Sequence, residues 1–332
     1  MKALVYTANE EMTYREEPEP VAAHGDALIA IESVGICGSD MHAYLGHDER
    51  RVPPLILGHE AVGTVVEGTS AGQRVVLNPL ITCGVCDECL GGRQNLCASR
   101  DLIGMYRAGA FAEKIAIPEQ NLIPVPEGMP GEHAALTEPG ATGLHAVLLA
   151  ERVVSRPLSE SRALVIGAGS VGLLTALILR DKGVEEIVVA ETNALRRELV
   201  EQHCDFKLLD PTQEKPQEQH FDCVFDAVGG AVTREQAVIA ARSGGVIVHI
   251  GLMDNKGSMD VRAMTLREIT FIGTYTYTPV DLRATLAKLN SGALGSLGWI
   301  EQRPLDAGAA AFAELLQGKC AAPKVVLSTG QA

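Results

Sequence analysis

A short apolar run followed by spaced glycines is the feature that most constrains what this chain can fold into. Residues 163–166 have the length of a buried strand, and three glycines follow in the pattern G-x-G-x-x-G: Gly167, Gly169 and Gly172. In strand-to-helix units the first glycine permits a tight turn, the second lets the backbone approach a pyrophosphate, and the third lets helix and strand pack closely. The pattern therefore predicts a strand, a glycine turn and a helix that bind phosphate.

The residues after the glycines favour a complete dinucleotide site over an ordinary α/β turn. A run of good helix formers extends from Leu173 to Arg180, and the free N–H groups at the start of this helix suit phosphates. Ser170 and Val171, within the glycine pattern, are therefore candidate cofactor-binding residues. A second apolar run ends in Glu191, roughly 20 residues on, where such folds place the carboxylate that binds ribose hydroxyls. Because a carboxylate repels a 2′-phosphate, NAD is favoured over NADP. Nearby Arg196 and Arg197 weaken that preference.

Length and charge limit the architecture and the partners. The chain has 332 residues, more than one core usually supports, so we expect two domains. Its formal net charge is −14, which does not suit nucleic acid or an anionic membrane surface. The first residues lack a signal-peptide apolar region, and no apolar stretch has spanning length. We therefore expect a cytoplasmic enzyme with no nucleic-acid or membrane partner.

Four cysteines form the most specific short motif, C-x2-C-x2-C-x7-C: Cys83, Cys86, Cys89 and Cys97. In a chain of this class, clustered cysteines indicate a metal or catalysis before disulfides. Four thiolates can enclose Zn²⁺ in a closed tetrahedral site, which is structural because no position is left for a substrate. An iron–sulfur cluster or a redox pair is the alternative, but the sequence offers no electron-transfer context for either.

Two polar clusters precede the cysteines. Residues 35–42 place four side chains on one glycine-flanked turn: Cys37, Ser39, Asp40 and His42. Residues 55–63 place an adjacent histidine and glutamate between apolar runs: His59 and Glu60. A buried carboxylate needs a partner, and a metal would serve. The alternatives are a polar turn with one buried thiol and a solvated His-Glu turn.

The remaining pattern predicts strands in the first third of the chain and an alternating α/β region after it. A parallel sheet is expected over roughly residues 136–275. Helices are predicted at 279–291 and 306–317, and a strand at 324–327. Glu138 precedes a proline at the start of a predicted helix, where it could simply satisfy the helix dipole.

Together these motifs resemble the zinc-dependent medium-chain alcohol and polyol dehydrogenases, over essentially the whole chain. The resemblance implies an α/β protein with a β-rich, GroES-like catalytic domain and a Rossmann domain built on a doubly wound parallel sheet. It assigns residues 1–135 to the catalytic domain, with a structural-zinc lobe at 83–97. Residues 136–275 form the NAD-binding domain, and 276–332 return to the catalytic domain. The resemblance also implies a homodimer or homotetramer with the active site in the interdomain cleft.

The resemblance implies two zinc ions per chain. Cys37 and His59 match ligands of a catalytic zinc, and Glu60 matches a carboxylate that is a direct ligand in many members. Glu138 falls where ethanol-type members place a cysteine and sorbitol-type members a glutamate, which favours the polyol branch. Whether Glu60 or Glu138 is the direct ligand stays open. The cysteine lobe would hold the second, structural ion.

The resemblance also implies hydride transfer from a small alcohol or polyol to NAD. Asp40 matches the carboxylate that orients the ligand histidine. Ser39 matches a hydroxyl that takes the substrate proton, and His42 passes it to solvent. The arginine of the Arg-Tyr pair common in sorbitol-type enzymes is absent, since Thr276 stands in its place.

Several alternatives share these motifs. A sugar-alcohol-phosphate dehydrogenase and a threonine- or butanediol-type dehydrogenase are the nearest. Arg50 and Arg51 could meet a phosphorylated polyol, but two charged residues in a loop are expected to be solvated. A non-catalytic protein that binds NAD and zinc is a hypothesis of a different class. That hypothesis predicts the loss of at least one of four reactive residues, all of which are present in this chain: Cys37, Ser39, His42 and His59.

Overall fold

The computed structural model describes residues 1–330. These residues form eighteen strands: β1 (Lys2–Ala8), β2 (Glu11–Glu16), β3 (Asp26–Gly35), β4 (Leu55–Ile56), β5 (Glu60–Glu67), β6 (Arg74–Leu77), β7 (Leu80–Ile81), β8 (Asp101–Leu102), β9 (Lys114–Pro118), β10 (Leu122–Pro124), β11 (Arg162–Ile166), β12 (Glu186–Ala190), β13 (Lys207–Leu209), β14 (Phe221–Asp226), β15 (Ala241–His249), β16 (Thr270–Gly273), β17 (Ile300–Pro304) and β18 (Lys324–Ser328).

The same residues form ten α-helices: α1 (Gly38–Tyr44), α2 (Asp87–Leu90), α3 (Gly131–Ala135), α4 (Thr137–Glu151), α5 (Ser170–Asp181), α6 (Ala194–His203), α7 (Ala231–Ala240), α8 (Val261–Leu266), α9 (Pro279–Asn290) and α10 (Gly308–Leu316). The predicted helix at 306–317 is thus shorter, because a 3₁₀ turn occupies Leu305–Ala307. None of the helices within residues 1–330 combines the length and low polarity needed to cross a bilayer.

The chain divides into two compact units. Unit 1 contains Met1–Glu138, Thr278–Ser291 and Ile300–Ala332, and unit 2 contains Pro139–Tyr277 and Gly292–Trp299. The sequence predicts boundaries at 135/136 and 275/276, a few residues from these. It also predicts that everything after 275 belongs with the first part of the chain. The last segment of unit 2 lies instead against α6, where an added Cβ at Gly298 would stand 2.6 Å from the His203 ring.

Unit 1 is organised around strand β3. Along one edge β3 pairs antiparallel with β5, and along the other it pairs first with β9 and then with β18. The resulting seven-stranded sheet has the order β10-β6-β5-β3-β18-β17, and its seventh strand, β9, pairs with β3 outside this order. Buried and partly exposed residues alternate along most of β3, as expected when two faces of a strand differ in solvation. Smaller sheets, β2-β1-β4 and β7-β8, complete the strands of this unit.

Unit 2 holds a six-stranded parallel sheet in the order β13-β12-β11-β14-β15-β16. Counted along the chain this is 3-2-1-4-5-6, the order of the dinucleotide-binding Rossmann fold. Every residue of β14 is buried, as expected for a central strand covered by helices on both faces. The predicted doubly wound parallel sheet is therefore confirmed.

Candidate active site

The glycine turn after β11 has the geometry that a dinucleotide requires. Gly167 has a φ of 95°, which favours glycine. A Cβ at Gly172 would lie 1.9 Å from the carbonyl oxygen of Gly167, so only glycine lets helix α5 pack this close to the turn. At Gly169, by contrast, a Cβ would meet no heavy atom within 4 Å. The backbone is therefore open on that side, beside Ser170 at the start of α5, and a pyrophosphate fits there.

Glu191 follows β12 and is fixed by the glycine turn itself. Its Oε2 accepts the N–H of Ala168 at 2.9 Å, and its Oε1 accepts the N–H of Asn193 at 2.8 Å. The Nη1 of Arg196 lies 3.5 Å from Oε2. The carboxylate is buried, yet Arg196 offsets its charge. The acid and the arginine that the sequence singled out therefore contact each other.

The four cysteines of the lobe converge. One sulfur from each of Cys83, Cys86, Cys89 and Cys97 lies within 4.8 Å of the others. The Sγ of Cys83 lies 3.9 Å from that of Cys89 and 3.6 Å from that of Cys97, so these are thiols and not disulfides. Backbone N–H groups lower the pKa of the Cys83 thiol to about 6, whereas burial raises that of Cys89 to about 11. Four sulfurs in this arrangement fit a closed zinc site.

A second set of metal-binding atoms lies in unit 1. The Cys37 sulfur, an imidazole nitrogen of His59 and a carboxylate oxygen of Glu60 all lie within 4.8 Å of one another. Cys37 is the N-cap residue of α1, and Glu60 is the first residue of β5. Thiol, imidazole and carboxylate are the donors that catalytic zinc sites use. Residues 22 positions apart in the chain are thus brought to one point by the folding of β3, α1 and β5.

Asp40 holds two of these candidate ligands in place. The residue is completely buried, and its Oδ2 accepts the backbone N–H of Cys37 at 3.0 Å. Its Oδ1 lies 3.5 Å from the Nδ1 of His59. Burial alone would lower the pKa of His59, but the charges of Asp40 and Cys37 outweigh it and raise the pKa well above the usual value. The carboxylate therefore orients the imidazole and increases its basicity.

Glu60 has a buried partner that the sequence did not reveal. The Nζ of Lys324 donates to both Glu60 oxygens, at 2.8 and 2.5 Å, and to the carbonyl of Ile36 at 2.8 Å. Both side chains are almost fully buried. Burial alone would lower the pKa of Lys324, but the Glu60 carboxylate raises it. Lys324 is therefore a charged ammonium that fixes the glutamate.

A glycine makes this pairing possible. Glu60 lies on β5 and Lys324 on β18, and β3 runs between these two strands. Gly35 of β3 is the register partner of Glu60. A Cβ at Gly35 would lie 2.1 Å from Glu60 Oε2, so the glutamate crosses the middle strand in the space left by the missing side chain.

The other predicted site residues of unit 1 differ in their exposure. Glu138, in helix α4, is buried and raises the pKa of Lys324, although it is outside the set of three candidate ligands. Ser39 and His42 both lie on α1 and are partly exposed. Burial lowers the pKa of His42, which keeps its imidazole neutral near pH 7.

The expectation that both loop arginines are solvated is wrong for Arg51. Arg50 is exposed, but only 3% of Arg51 is accessible. The Nη1 of Arg51 donates to Asp48 at 2.6 Å and its Nη2 to the Ser39 hydroxyl at 3.3 Å. Its Nε donates to the carbonyl of Gly104 at 2.9 Å, which draws the guanidinium inward. No local pattern distinguishes the two arginines, because Gly104 lies 53 positions away.

Comparison with known proteins places this geometry in a family. Residues 23–127 match the family model described as alcohol dehydrogenase GroES-like domain, and residues 170–291 match that described as zinc-binding dehydrogenase. The chain is 33% identical over 300 residues to L-galactonate-5-dehydrogenase of Escherichia coli (strain K12), covering 85% of each. It is 31% identical to L-threonine 3-dehydrogenase of Chelativorans sp. (strain BNC1), covering 98% of each.

A solved structure agrees with these relatives. Acetophenone reductase from Geotrichum candidum NBRC 4597, in complex with NAD, is 26% identical and superposes with a TM-score of 0.87, covering 98% of this chain and 96% of that one. The chain belongs to the zinc-dependent medium-chain alcohol and polyol dehydrogenase family. It is an oxidoreductase that interconverts a polyol or other secondary alcohol and its ketone by hydride transfer, with zinc and a nicotinamide dinucleotide as cofactors.

Proposed function

We propose that Cys37, His59 and Glu60 bind the catalytic zinc ion, with Glu138 as a further ligand, and that the cysteine lobe binds the structural one. The observation that carries this proposal is the convergence of thiol, imidazole and carboxylate within 4.8 Å. A zinc ion bound there would lower the pKa of a substrate hydroxyl, and the nicotinamide would accept the hydride. Side chains of the protein orient the ligands and transfer the proton.

Three residues of α1 handle orientation and the proton. Ser39 accepts the substrate hydroxyl proton, and His42, whose burial favours the neutral imidazole, passes it to solvent. Asp40 keeps His59 aligned through its contact with Nδ1. The side chains thus remove one proton from the alcohol, and with the hydride that a bound nicotinamide would accept, the product would be a neutral ketone.

The same proposal assigns the cofactor contacts in unit 2. Gly167, Gly169, Val171 and Gly172 shape the turn that receives the pyrophosphate, and Ser170 offers the first N–H group of α5. Glu191 binds the adenosine ribose hydroxyls, and its negative charge favours NAD over NADP. Arg196 reduces that preference without reversing it, since its guanidinium is engaged with Glu191.

For the substrate we propose a free polyol or sugar acid that is oxidised at a secondary carbinol. The relative with 33% identity is named for L-galactonate oxidation at position 5, which is a secondary carbinol of a sugar acid. A threonine-type substrate is the second candidate, favoured by 31% identity across 98% of the chain. A sugar-alcohol phosphate is disfavoured, because Arg51 is buried and already donates to Asp48 and Ser39.

The deciding experiment is cofactor reduction by the purified protein against an alcohol panel with NAD and with NADP. The panel holds free polyols, L-galactonate, polyol phosphates, simple secondary alcohols and L-threonine. We expect turnover with NAD on free polyols or sugar acids, abolished by a zinc chelator and restored by zinc. Cys37→Ser should abolish turnover and leave NAD binding intact. Full turnover by Cys37→Ser would refute the assignment of the zinc ligands.

The proposal also covers the cellular location and the oligomeric state of the protein. We propose that the protein works in the cytoplasm, which its eight free cysteines support because reduced thiols persist there. We also propose a homodimer or homotetramer, supported by the exposed edge of the parallel sheet at β16. Cell fractionation and light scattering after size-exclusion chromatography test these two statements, and a monomer at micromolar concentration would contradict the second.

A further inference from the structure

Arg51 is a buried cation that the proposed chemistry leaves without a role. Its side chain is 1% accessible, so its charge does not serve to keep the protein surface soluble. Because the side chain is buried, it does not form a direct ion pair with a carboxylate or phosphate group of a substrate. Its guanidinium reaches Ser39 at 3.3 Å, which is the residue proposed to take the substrate proton. Ser39 is thus the residue of the proposed reaction that Arg51 contacts directly, and the Arg51 charge also helps to lower the pKa of His42.

The anchoring of Arg51 is rigid. The carbonyl of Gly104 accepts from Nε, and Asp48 accepts from Nη1. Because the guanidinium is planar and two of its nitrogens are held by these contacts, the direction of Nη2 is set by the fold. The backbone of Arg51 is held as well, because its N–H donates to the carbonyl of Asp48 in a short turn.

The hydrogen-bonding capacity of the two side chains restricts the direction of the Ser39 hydroxyl. A serine hydroxyl has one donor hydrogen and two acceptor lone pairs, and a guanidinium can only donate. The contact with Arg51 therefore occupies one lone pair of Ser39, and the O–H bond must point elsewhere. One lone pair is left for an incoming proton, and one O–H bond for an outgoing proton.

We infer that Arg51 is a positioning residue that orients the Ser39 hydroxyl for proton transfer, an inference that rests on the proposed role of Ser39. As the substrate proton bonds to Ser39 Oγ, the original hydroxyl proton of Ser39 leaves toward solvent, and Ser39 ends neutral. If the original hydroxyl proton leaves Ser39 before the substrate proton has fully bonded, negative charge develops on Oγ. A fixed guanidinium 3.3 Å away stabilises that charge without any rearrangement.

The neighbourhood supplies a benign variant and a matched control. Arg51→Gln leaves Asp48 paired, because Arg50 also donates to it from Nε at 2.8 Å and from Nη2 at 3.0 Å. Arg50→Gln removes a positive charge from the same loop and the same carboxylate, but not a contact with Ser39. Arg51→Lys keeps the charge and loses the fork, so it covers the case in which the glutamine variant fails to fold.

The test measures steady-state kinetics and the solvent deuterium isotope effect with the panel alcohol that gives the highest kcat/KM. We expect Arg51→Gln to lower kcat about tenfold with KM nearly unchanged. This loss is smaller than the rate contribution of at least roughly 100-fold that is typical of a group acting directly in acid–base catalysis. The solvent isotope effect should rise, because proton transfer becomes slower. Arg51→Lys should lie between, and Arg50→Gln should match the parent protein, all at equal zinc content.

A double-mutant cycle separates this inference from the proposed function. If Arg51 acts through Ser39, Arg51→Gln should change kcat less than about twofold in the Ser39→Ala background. A large loss on Ser39→Ala with none on Arg51→Gln or Arg51→Lys would overturn the inference alone. Parent-like kcat in Ser39→Ala would overturn the proposed relay, and the inference with it.

Discussion

Lys324 and Glu60 lie 264 positions apart in the chain and form a buried ion pair across the middle strand of their sheet. The ammonium group donates to both carboxylate oxygens and to one backbone carbonyl, so all three of its hydrogens have acceptors. The glutamate of the candidate zinc site is therefore held by protein on one side, whatever it binds on the other.

Removal of the lysine should destabilise unit 1 strongly. Lys324→Met leaves the Glu60 carboxylate buried without its partner, and breaking such a pair typically costs about 3 to 5 kcal/mol. Glu60→Gln combined with Lys324→Met should recover much of that loss, because no uncompensated charge remains. Urea denaturation measures the effect, with Lys319→Met at an exposed position as the control. Equal stability of Lys324→Met and the control would contradict the ion-pair interpretation.

The glycine beneath this pair should tolerate no side chain. Gly35→Ala places a Cβ 2.1 Å from Glu60 Oε2, and such overpacking typically costs about 1 to 3 kcal/mol. Since Glu60 must move, we expect a lower zinc content as well. Gly273→Ala is the control, because a Cβ there meets no heavy atom within 4 Å. Thermal unfolding and metal analysis by mass spectrometry measure both effects. Unchanged zinc content in Gly35→Ala would argue against Glu60 as a ligand.

The cysteine lobe should show pH-dependent reactivity once its metal is removed. Cys83 is exposed with a pKa of about 6, so it is mainly thiolate at pH 7 and loses reactivity as the pH falls below 6. Cys89 is buried with a pKa of about 11 and should react slowly throughout this range. Iodoacetamide labelling of chelator-treated protein, read by peptide mass spectrometry, compares the two thiols. Added zinc should protect both, and equal labelling rates at pH 7 would refute the prediction.

Loss of one lobe cysteine should separate structural from catalytic metal. Cys89→Ser should reduce bound zinc from two ions to one per chain and lower the unfolding temperature, because a closed site needs all four ligands. Cys204→Ser is the matched control, a buried cysteine outside the lobe. Metal analysis and calorimetry distinguish the two variants. Two zinc ions in folded Cys89→Ser would show that the lobe is not a four-thiolate site.

Glu191 should set the cofactor preference. Glu191→Gln removes the charge that repels a 2′-phosphate and leaves Arg196 without its anionic partner. We expect the ratio of kcat/KM for NAD to that for NADP to fall about tenfold, equivalent to roughly 1.4 kcal/mol. Glu198→Gln, an exposed change on helix α6, which carries Arg196, should leave the ratio unaltered. A ratio that does not move in Glu191→Gln would place the ribose contact elsewhere.

Sequence predicted those parts of the molecule whose determinants lie close together in the chain. The glycine turn, the acid after β12 and the four-cysteine lobe are each encoded within about thirty residues, and fixed spacing carries their chemistry. The alternation of strands and helices likewise predicted the doubly wound sheet. The candidate catalytic ligands are more widely spaced, so Cys37, His59 and Glu138 could be selected only through the family resemblance.

The residues that sequence missed act through long-range contacts. Lys324 begins a predicted strand, and nothing near it in the chain indicates that it faces a carboxylate 264 residues earlier. Arg51 looks like its neighbour Arg50, and only the carbonyl of Gly104 draws it inward. Such positions are decided by which strands and loops the fold places side by side, and that information is not local.

The crossing of β3 by the Glu60 side chain has a consequence for biosynthesis. A ribosome that adds about 5 to 20 residues per second needs roughly 10 to 50 s to travel from Glu60 to Lys324. During that interval both segments of unit 2, Pro139–Tyr277 and Gly292–Trp299, are translated, while the central sheet of unit 1 still lacks β18. The nascent glutamate therefore stays hydrated until its ammonium partner emerges. The central sheet of unit 1 can therefore be completed only after every residue of unit 2 has been translated.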